Sequence, residues 1–225
     1  MLRLFFAFLA YFAAMTLALS SLAEEKPAES KAGKWDKDFA AMEARDQMSP
    51  PPKKGILFVG SSSIRMWDLA KSFPDRLTVN RGFGGSQLID SVEHFDRLVL
   101  PHQPRIVVLY AGDNDIAAKK IPQQVAADFA AFHKKLRAAL PETKLIFLSI
   151  KPSVARVKLL ETQREANELV RKACEQDKLC TFLSVEKPML DENGQPRSDL
   201  FLKDGLHMHN GGYKIWAELL QPLLK

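Results

Sequence analysis

Four short segments of this 225-residue chain carry residue types that could do chemistry together. They are Gly60-Ser61-Ser62-Ser63, Asn80-Arg81-Gly82-Phe83-Gly84-Gly85, Gly112-Asp113-Asn114-Asp115 and Asp204-Gly205-Leu206-His207. A hydroxyl, a glycine-rich turn, a side-chain amide and a histidine with a nearby carboxylate are the parts needed for acyl transfer to a serine. The hydroxyl attacks once a base takes its proton, and N–H donors hold the oxyanion that forms. Each segment also has an ordinary structural use. Serines cap helices, glycines serve loops that need positive φ, and Asn114 can close an Asx-turn. Four such segments in one domain argue for a joint role. Gly-x-Gly-x-x-Gly and Gly-x-Ser-x-Gly are both absent, which excludes a dinucleotide fingerprint and a nucleophile elbow. No pair of carboxylates has the spacing of a glycosidase.

The elements that must position these residues are legible as apolar patterns. Ile56–Val59, Leu77–Val79, Ile106–Tyr110, Leu145–Ile150 and Thr181–Leu183 read as strands. Ile106–Tyr110 shows no alternation, which predicts burial on both faces. Ile64–Phe73, Leu88–Leu100, Pro122–Leu140, Val157–Gln176 and Asn210–Leu223 read as helices, the last with Asn210 as N-cap. Strands alternating with helices predict an α/β fold, a three-layer α/β/α sandwich around a five-stranded parallel sheet. Ligands of such sheets bind beyond the carboxyl ends of the strands. Ser62, Gly85 and Asn114 each follow a strand and so converge on one edge.

The four segments resemble the blocks of the SGNH, or GDSL-type, serine hydrolases. The resemblance runs from about Gly55 to the C-terminus and implies their flavodoxin-like fold. It makes Ser62 the nucleophile; Ser61 and Ser63 stand where Gly-Asp-Ser-Leu has Asp and Leu. The hydroxyls by themselves do not separate the three serines. The resemblance further implies an oxyanion hole of Gly85, Asn114 and the Ser62 N–H, with His207 as base and Asp204 orienting it. His209 is the rival base. Gly82 and Gly84 are expected as loop glycines at positive φ, and Asp113 and Asp115 as turn formers. Ile116, Lys151, Ser153 and Met208 are expected to line the substrate pocket, and His94, His102 and His133 to be solvated.

The implied activity is hydrolysis of a small-molecule or carbohydrate-borne acyl ester through an acyl-serine, with no cofactor and no metal. The rival readings are acyl transfer to a sugar or polymer, and a carbohydrate-binding module without catalysis.

Hydrophobic residues make up 46% and charged residues 26%, as in ordinary globular proteins. The net charge is +5, but Lys and Arg are scattered, with no basic stripe carrying aromatics, which argues against nucleic acid. At the start, Arg3 precedes an uncharged apolar run, Leu4–Leu19, and Ser21-Leu22-Ala23 has the small residues of a cleavage site. A signal peptide over 1–23, cleaved after Ala23, predicts a periplasmic or secreted protein with no stable membrane insertion. The alternative is an uncleaved anchor, since the run is long enough to span. Residues 24–52 read as a linker and an N-terminal helix ended by Pro50-Pro51-Pro52, and 53–225 as the hydrolase domain. Cys174 and Cys180 could form a disulfide in an oxidising compartment, and without a neighbouring His they do not complete a zinc site.

Overall fold

The computed structural model describes residues 33–225; the expected leader over 1–23 and the linker up to residue 32 lie outside the described residues. One compact unit runs from Lys34 to Lys225. It opens with α1 (Asp36–Met48), whose Phe39 and Met42 lie three residues apart and bury together against the core. The helix therefore belongs to the same unit as the sheet. The chain continues through β1 (Ile56–Gly60), α2 (Ser62–Arg65), α3 (Leu69–Ser72), β2 (Thr78–Gly82), α4 (Leu88–Glu93), α5 (Phe95–Leu98) and β3 (Ile106–Tyr110). It ends with α6 (Asp113–Ala117), α7 (Pro122–Ala139), β4 (Lys144–Leu148), α8 (Leu160–Cys174), β5 (Cys180–Leu183) and α9 (Asn210–Leu220).

The five strands form one sheet in the order β2-β1-β3-β4-β5, every pair parallel. Successive strand residues point to opposite faces, so each strand feeds two cores. Leu57, Val59, Val107, Leu109, Leu145 and Phe147 pack beneath α1, α4, α5, α7 and α8. Ile56, Phe58, Ile106, Val108, Ile146 and Leu148 pack against α2, α3 and α9. All five residues of β3 are buried, as its unbroken apolar run predicts. Each fully buried Leu, Ile or Phe contributes about 1.5–3 kcal/mol relative to exposure.

The α/β/α sandwich matches the expectation, while several boundaries move. The helix expected over Ile64–Phe73 breaks into α2 and α3, because Asp68 is extended and accepts from the Lys71 N–H at 3.0 Å as an N-cap. Leu88–Leu100 likewise divides into α4, α5 and a 3-10 turn at Leu100–His102. A 3-10 stretch, Val154–Leu159, precedes α8. β2 runs on to Gly82, in register with Gly60, and so takes in Asn80 and Arg81 from the expected turn. His209, not Asn210, caps α9. Cys174 and Cys180 are free thiols with Sγ atoms 2.9 Å apart. Among the described residues no helix is long and apolar enough to cross a membrane.

The strand order reverses direction between β1 and β3. Chains leaving those two strands diverge to opposite faces and open a crevice at their carboxyl ends. The serine segment and the Asp113-Asn114-Asp115 segment leave from β1 and β3.

Candidate active site

Beyond β1, the Ser61 N–H donates to the Tyr110 carbonyl at 3.0 Å, holding the chain on the sheet for one residue before α2 begins. α2 packs tightly on the end of β2. A Cβ on Gly82 would lie 2.1 Å from the Arg65 nitrogen, so only glycine permits this approach. Ser61 and Ser63 are buried, and Ser62 between them is half-buried. Ser62 Oγ lies 3.0 Å from His207 Nε2, and His207 Nδ1 lies 2.7 Å from Asp204 Oδ2.

The loop before α9 supplies both partners. Asp204 Oδ1 accepts from the N–H groups of Leu206 and His207, each at 2.9 Å, which closes the turn through Gly205. The His207 side chain, and then these two N–H groups, lower the Asp204 pKa to about 2. An ionised Asp204 places the imidazole proton on Nδ1, which leaves Nε2 to accept from the Ser62 hydroxyl. The rival His209 is committed elsewhere. Its Nδ1 accepts from the Gly211 N–H at 2.9 Å, and its Nε2 meets the Asp199 carbonyl.

The loop that carries Gly85 follows β2 and meets Asn114, beyond β3, through the Ser86 carbonyl. Gly85 adopts φ +70° and is exposed, and neither Gly82 nor Gly84 shares its positive φ. A side chain at Gly85 would therefore be strained in this turn. The loop around it is pinned on both sides. Trp35 Nε1 donates to the Gly84 carbonyl at 2.9 Å, and Ser86 Oγ to the Phe83 carbonyl at 2.9 Å. Asn114 is half-buried in the first turn of α6; its Nδ2 donates to the Ser86 carbonyl at 2.9 Å, and its Oδ1 accepts from Arg156 Nη2 at 3.1 Å.

The carboxylates flanking Asn114 are buried, and they anchor neighbouring elements instead of closing Asx-turns. Asp113 meets Lys151 Nζ at 3.1 Å, Arg156 Nη1 at 2.6 Å and Gln163 Nε2 at 3.2 Å. Burial opposes its charge, but the two cations outweigh burial and hold its pKa below the usual carboxylate range. Asp115 accepts from the Leu88 N–H at the start of α4 and from Lys120 Nζ at 3.0 Å.

The residues expected to line the pocket are elsewhere. Ile116, Lys151, Ser153 and Met208 are exposed by 2% or less. Ile116 and Met208 belong to the two apolar cores, and the Lys151 ammonium is used on Asp113. None presents surface to a ligand. Of the three other histidines His102 is buried, and His94 and His133 are half-buried with partners of their own. His94 packs against the Phe39 ring at 4.8 Å, His102 accepts from Arg81 Nε at 3.0 Å, and His133 Nε2 lies 2.6 Å from Asp177.

Arg156 went unread in the sequence, where it is one basic residue in Val154-Ala155-Arg156-Val157-Lys158. Beside it, the Ala155 N–H donates to the Gly205 carbonyl at 3.0 Å, tying this stretch to the His207 loop. A cavity of about 440 Å³ lies between α3 and α9, lined by Met66, Trp67, Lys71, Tyr213, Lys214 and Glu218 among others, and Ser62, Asn114 and His207 are not in its lining.

The fold recurs in solved structures of low sequence identity. A Streptococcus pneumonia protein named as a platelet activating factor superposes with TM-score 0.76 at 23% identity, over 84% of this chain and 92% of that one. A GDSL-like lipase from Bacteroides thetaiotaomicron gives 0.69 at 19% identity, over 83% and 97%. An acetyl-xylooligosaccharide esterase from Geobacillus stearothermophilus gives 0.62 at 13%, over 77% and 95%. No curated protein matches the sequence. The GDSL-like lipase/acylhydrolase family matches residues 60–215, a span that holds all four segments. This chain belongs to that family of ester-cleaving hydrolases.

Proposed function

We propose that the protein cleaves small or carbohydrate-borne acyl esters outside the cytoplasm, through an acyl intermediate on Ser62. Ser62 Oγ attacks the ester carbonyl while its proton passes to His207 Nε2, and the carbonyl π pair moves onto oxygen. The Gly85 N–H, the Asn114 amide and the Ser62 N–H receive that oxyanion. A donor of this kind contributes about 3 kcal/mol to the transition state. Collapse expels the alcohol, which takes the proton from His207 and leaves the acyl group on Ser62. Water then attacks by the same route, giving its proton to His207, and Ser62 leaves with that proton as the acid departs. Asp204 holds the imidazole in the required tautomer and stabilises the imidazolium.

The observation that carries this reading is the line from Asp204 through His207 to Ser62, the half-buried serine of the three. A chromogenic acetyl ester tests it. Ser62→Ala is expected to lower turnover by about 10³-fold or more with an unchanged melting temperature. Near-native turnover in that variant contradicts it.

The preference for carbohydrate-borne acyl groups draws support from the acetyl-xylooligosaccharide esterase that shares the fold. Acetate release from acetylated xylooligosaccharides, set against a long-chain ester, checks it. The site of action draws support from Leu4–Leu19 and Ser21-Leu22-Ala23. Exported protein is expected to begin at Glu24, and a retained Met1 would favour the anchored alternative.

A further inference from the structure

We propose that Arg156 is a positioning residue for the oxyanion hole, holding and polarising the Asn114 amide without touching substrate. This rests on the reading of Asn114 as an oxyanion donor.

Asp113 carries one negative charge and meets two cations, Lys151 at 3.1 Å and Arg156 at 2.6 Å. Lys151 is as deeply buried as Asp113 and, with Gln163, already compensates it. The second cation leaves the cluster one positive charge in surplus. That surplus is directed, because Arg156 Nη2 donates to Asn114 Oδ1 at 3.1 Å. A lysine ammonium could neutralise Asp113, but only a planar fork reaches the carboxylate and the amide oxygen together.

Two consequences follow for Asn114. Its amide has two ends, and both are fixed: Oδ1 by Arg156 and one Nδ2 hydrogen by the Ser86 carbonyl at 2.9 Å. Rotation about the side-chain amide would break both bonds. The second Nδ2 hydrogen has no acceptor among the described residues and is the one available to an oxyanion. A guanidinium on the amide oxygen also draws electron density from the nitrogen, so that remaining N–H donates more strongly. The effect is greatest when a full negative charge forms opposite it, in the transition state and not in the bound ester.

The placement of Arg156 fits this role. It sits on the 3-10 stretch after β4, whose Ala155 N–H is bonded to Gly205 in the His207 loop. One segment therefore touches both the amide and the turn that carries the base.

A double-mutant cycle on a chromogenic acetyl ester tests the proposal. Asn114→Ala alone is expected to lower kcat by about 10²-fold. Arg156→Met alone is expected to lower kcat by about 10-fold with KM within about 2-fold, since the lost interaction acts only on the transition state. In the Asn114→Ala background, Arg156→Met is expected to cost less than about 2-fold, because the amide through which it acts is gone. Arg156→Lys, which keeps a charge on Asp113, is expected to retain the wild-type melting temperature and still lose kcat. Multiplicative losses in the double variant would make Arg156 a structural residue and overturn the proposal. Full activity in Arg156→Lys would overturn it as well. An Asn114→Ala enzyme with wild-type kcat would instead remove the oxyanion reading, and the proposal with it.

Discussion

Asp204 and His207 stand on an open loop, with side chains 48% and 27% exposed, whereas the groups behind Asn114 are sealed, Asp113 at 6% and Lys151 at 1%. The first pair is held by short-range bonds within residues 202–207, apart from the reach to Ser62 and the Ala155 N–H bond to the Gly205 carbonyl. The second group is held by contacts that span 28 to 50 residues of sequence. The contrast fits the two tasks proposed for these groups. A proton shuttle exchanges with substrate, alcohol and water, so it must be reachable. A dipole that stabilises an oxyanion works best when it is fixed before the charge appears, so it is built into the interior. On this account, damage to the open side removes chemistry and leaves the fold, while damage to the sealed side affects both.

The largest expected effect is on the open side. His207→Ala should lower kcat by about 10³-fold with little change in melting temperature, measured by steady-state kinetics and calorimetry. If His209→Ala removes activity and His207→Ala does not, the base is His209 and the comparison collapses. Asp204→Asn should also lower kcat, though less than removal of the imidazole, because in the proposed mechanism the carboxylate orients His207 and does not itself move a proton. Asp204 keeps its charge down to about pH 2, so it does not titrate across a working range of pH 4–8. Asp204 therefore adds no step to the acid limb of log kcat/KM over that range, and a slope of two there would contradict its low pKa.

A smaller effect separates architecture from chemistry on the same loop. His209→Ala removes the cap of α9 and should lower the melting temperature by a few degrees, with kcat changed less than about 3-fold. The smallest effect on activity is expected at a buried cluster that does no chemistry. His102 accepts from Arg81, which also pairs with Asp46, and burial together with the Arg81 charge lowers its pKa to about 4. The unfolded histidine takes up a proton near pH 6.5 and the folded one does not until about pH 4. The unfolded state therefore binds more protons between these values, and stability is lost as pH falls through that window, by up to about 3 kcal/mol. His102→Gln should flatten that decline in chemical-denaturation curves at pH 7 and pH 4, with turnover at pH 7 unaltered. An undiminished decline would place the acid sensitivity in other groups.

The sheet was legible because its strands are unbroken apolar runs, Ile106–Tyr110 above all, bounded by turn residues. β2 was cut short in the reading because Arg81 looks like a loop residue. Its charge is tolerated in the strand because Asp46 and His102 meet it from outside the sheet. The helix breaks were hidden because Asp68 stops one helix and starts the next with a single local bond, a feature weaker than the apolar period around it. The open side of the site was legible for the reason that it is open: Asp204 and His207 are three residues apart and complete their own turn. The sealed side was not. Lys151 reaches Asp113 across 38 residues and Arg156 reaches Asn114 across 42, and neither pairing leaves a trace in local pattern. Ile116 and Met208 adjoin Asn114 and His207 in sequence, yet their side chains belong to the two apolar cores. Helix and strand periodicity turns such neighbours toward the core.

The central claim is that Ser62, and neither Ser61 nor Ser63, is the nucleophile. An organophosphonate ester that mimics the acylated transition state, followed by proteolysis and tandem mass spectrometry, tests this most directly. The account predicts one adduct per chain, on the Ser62 hydroxyl, lost in Ser62→Ala and greatly slowed in His207→Ala. An adduct on Ser61 or Ser63, or labelling that persists in Ser62→Ala, would contradict it.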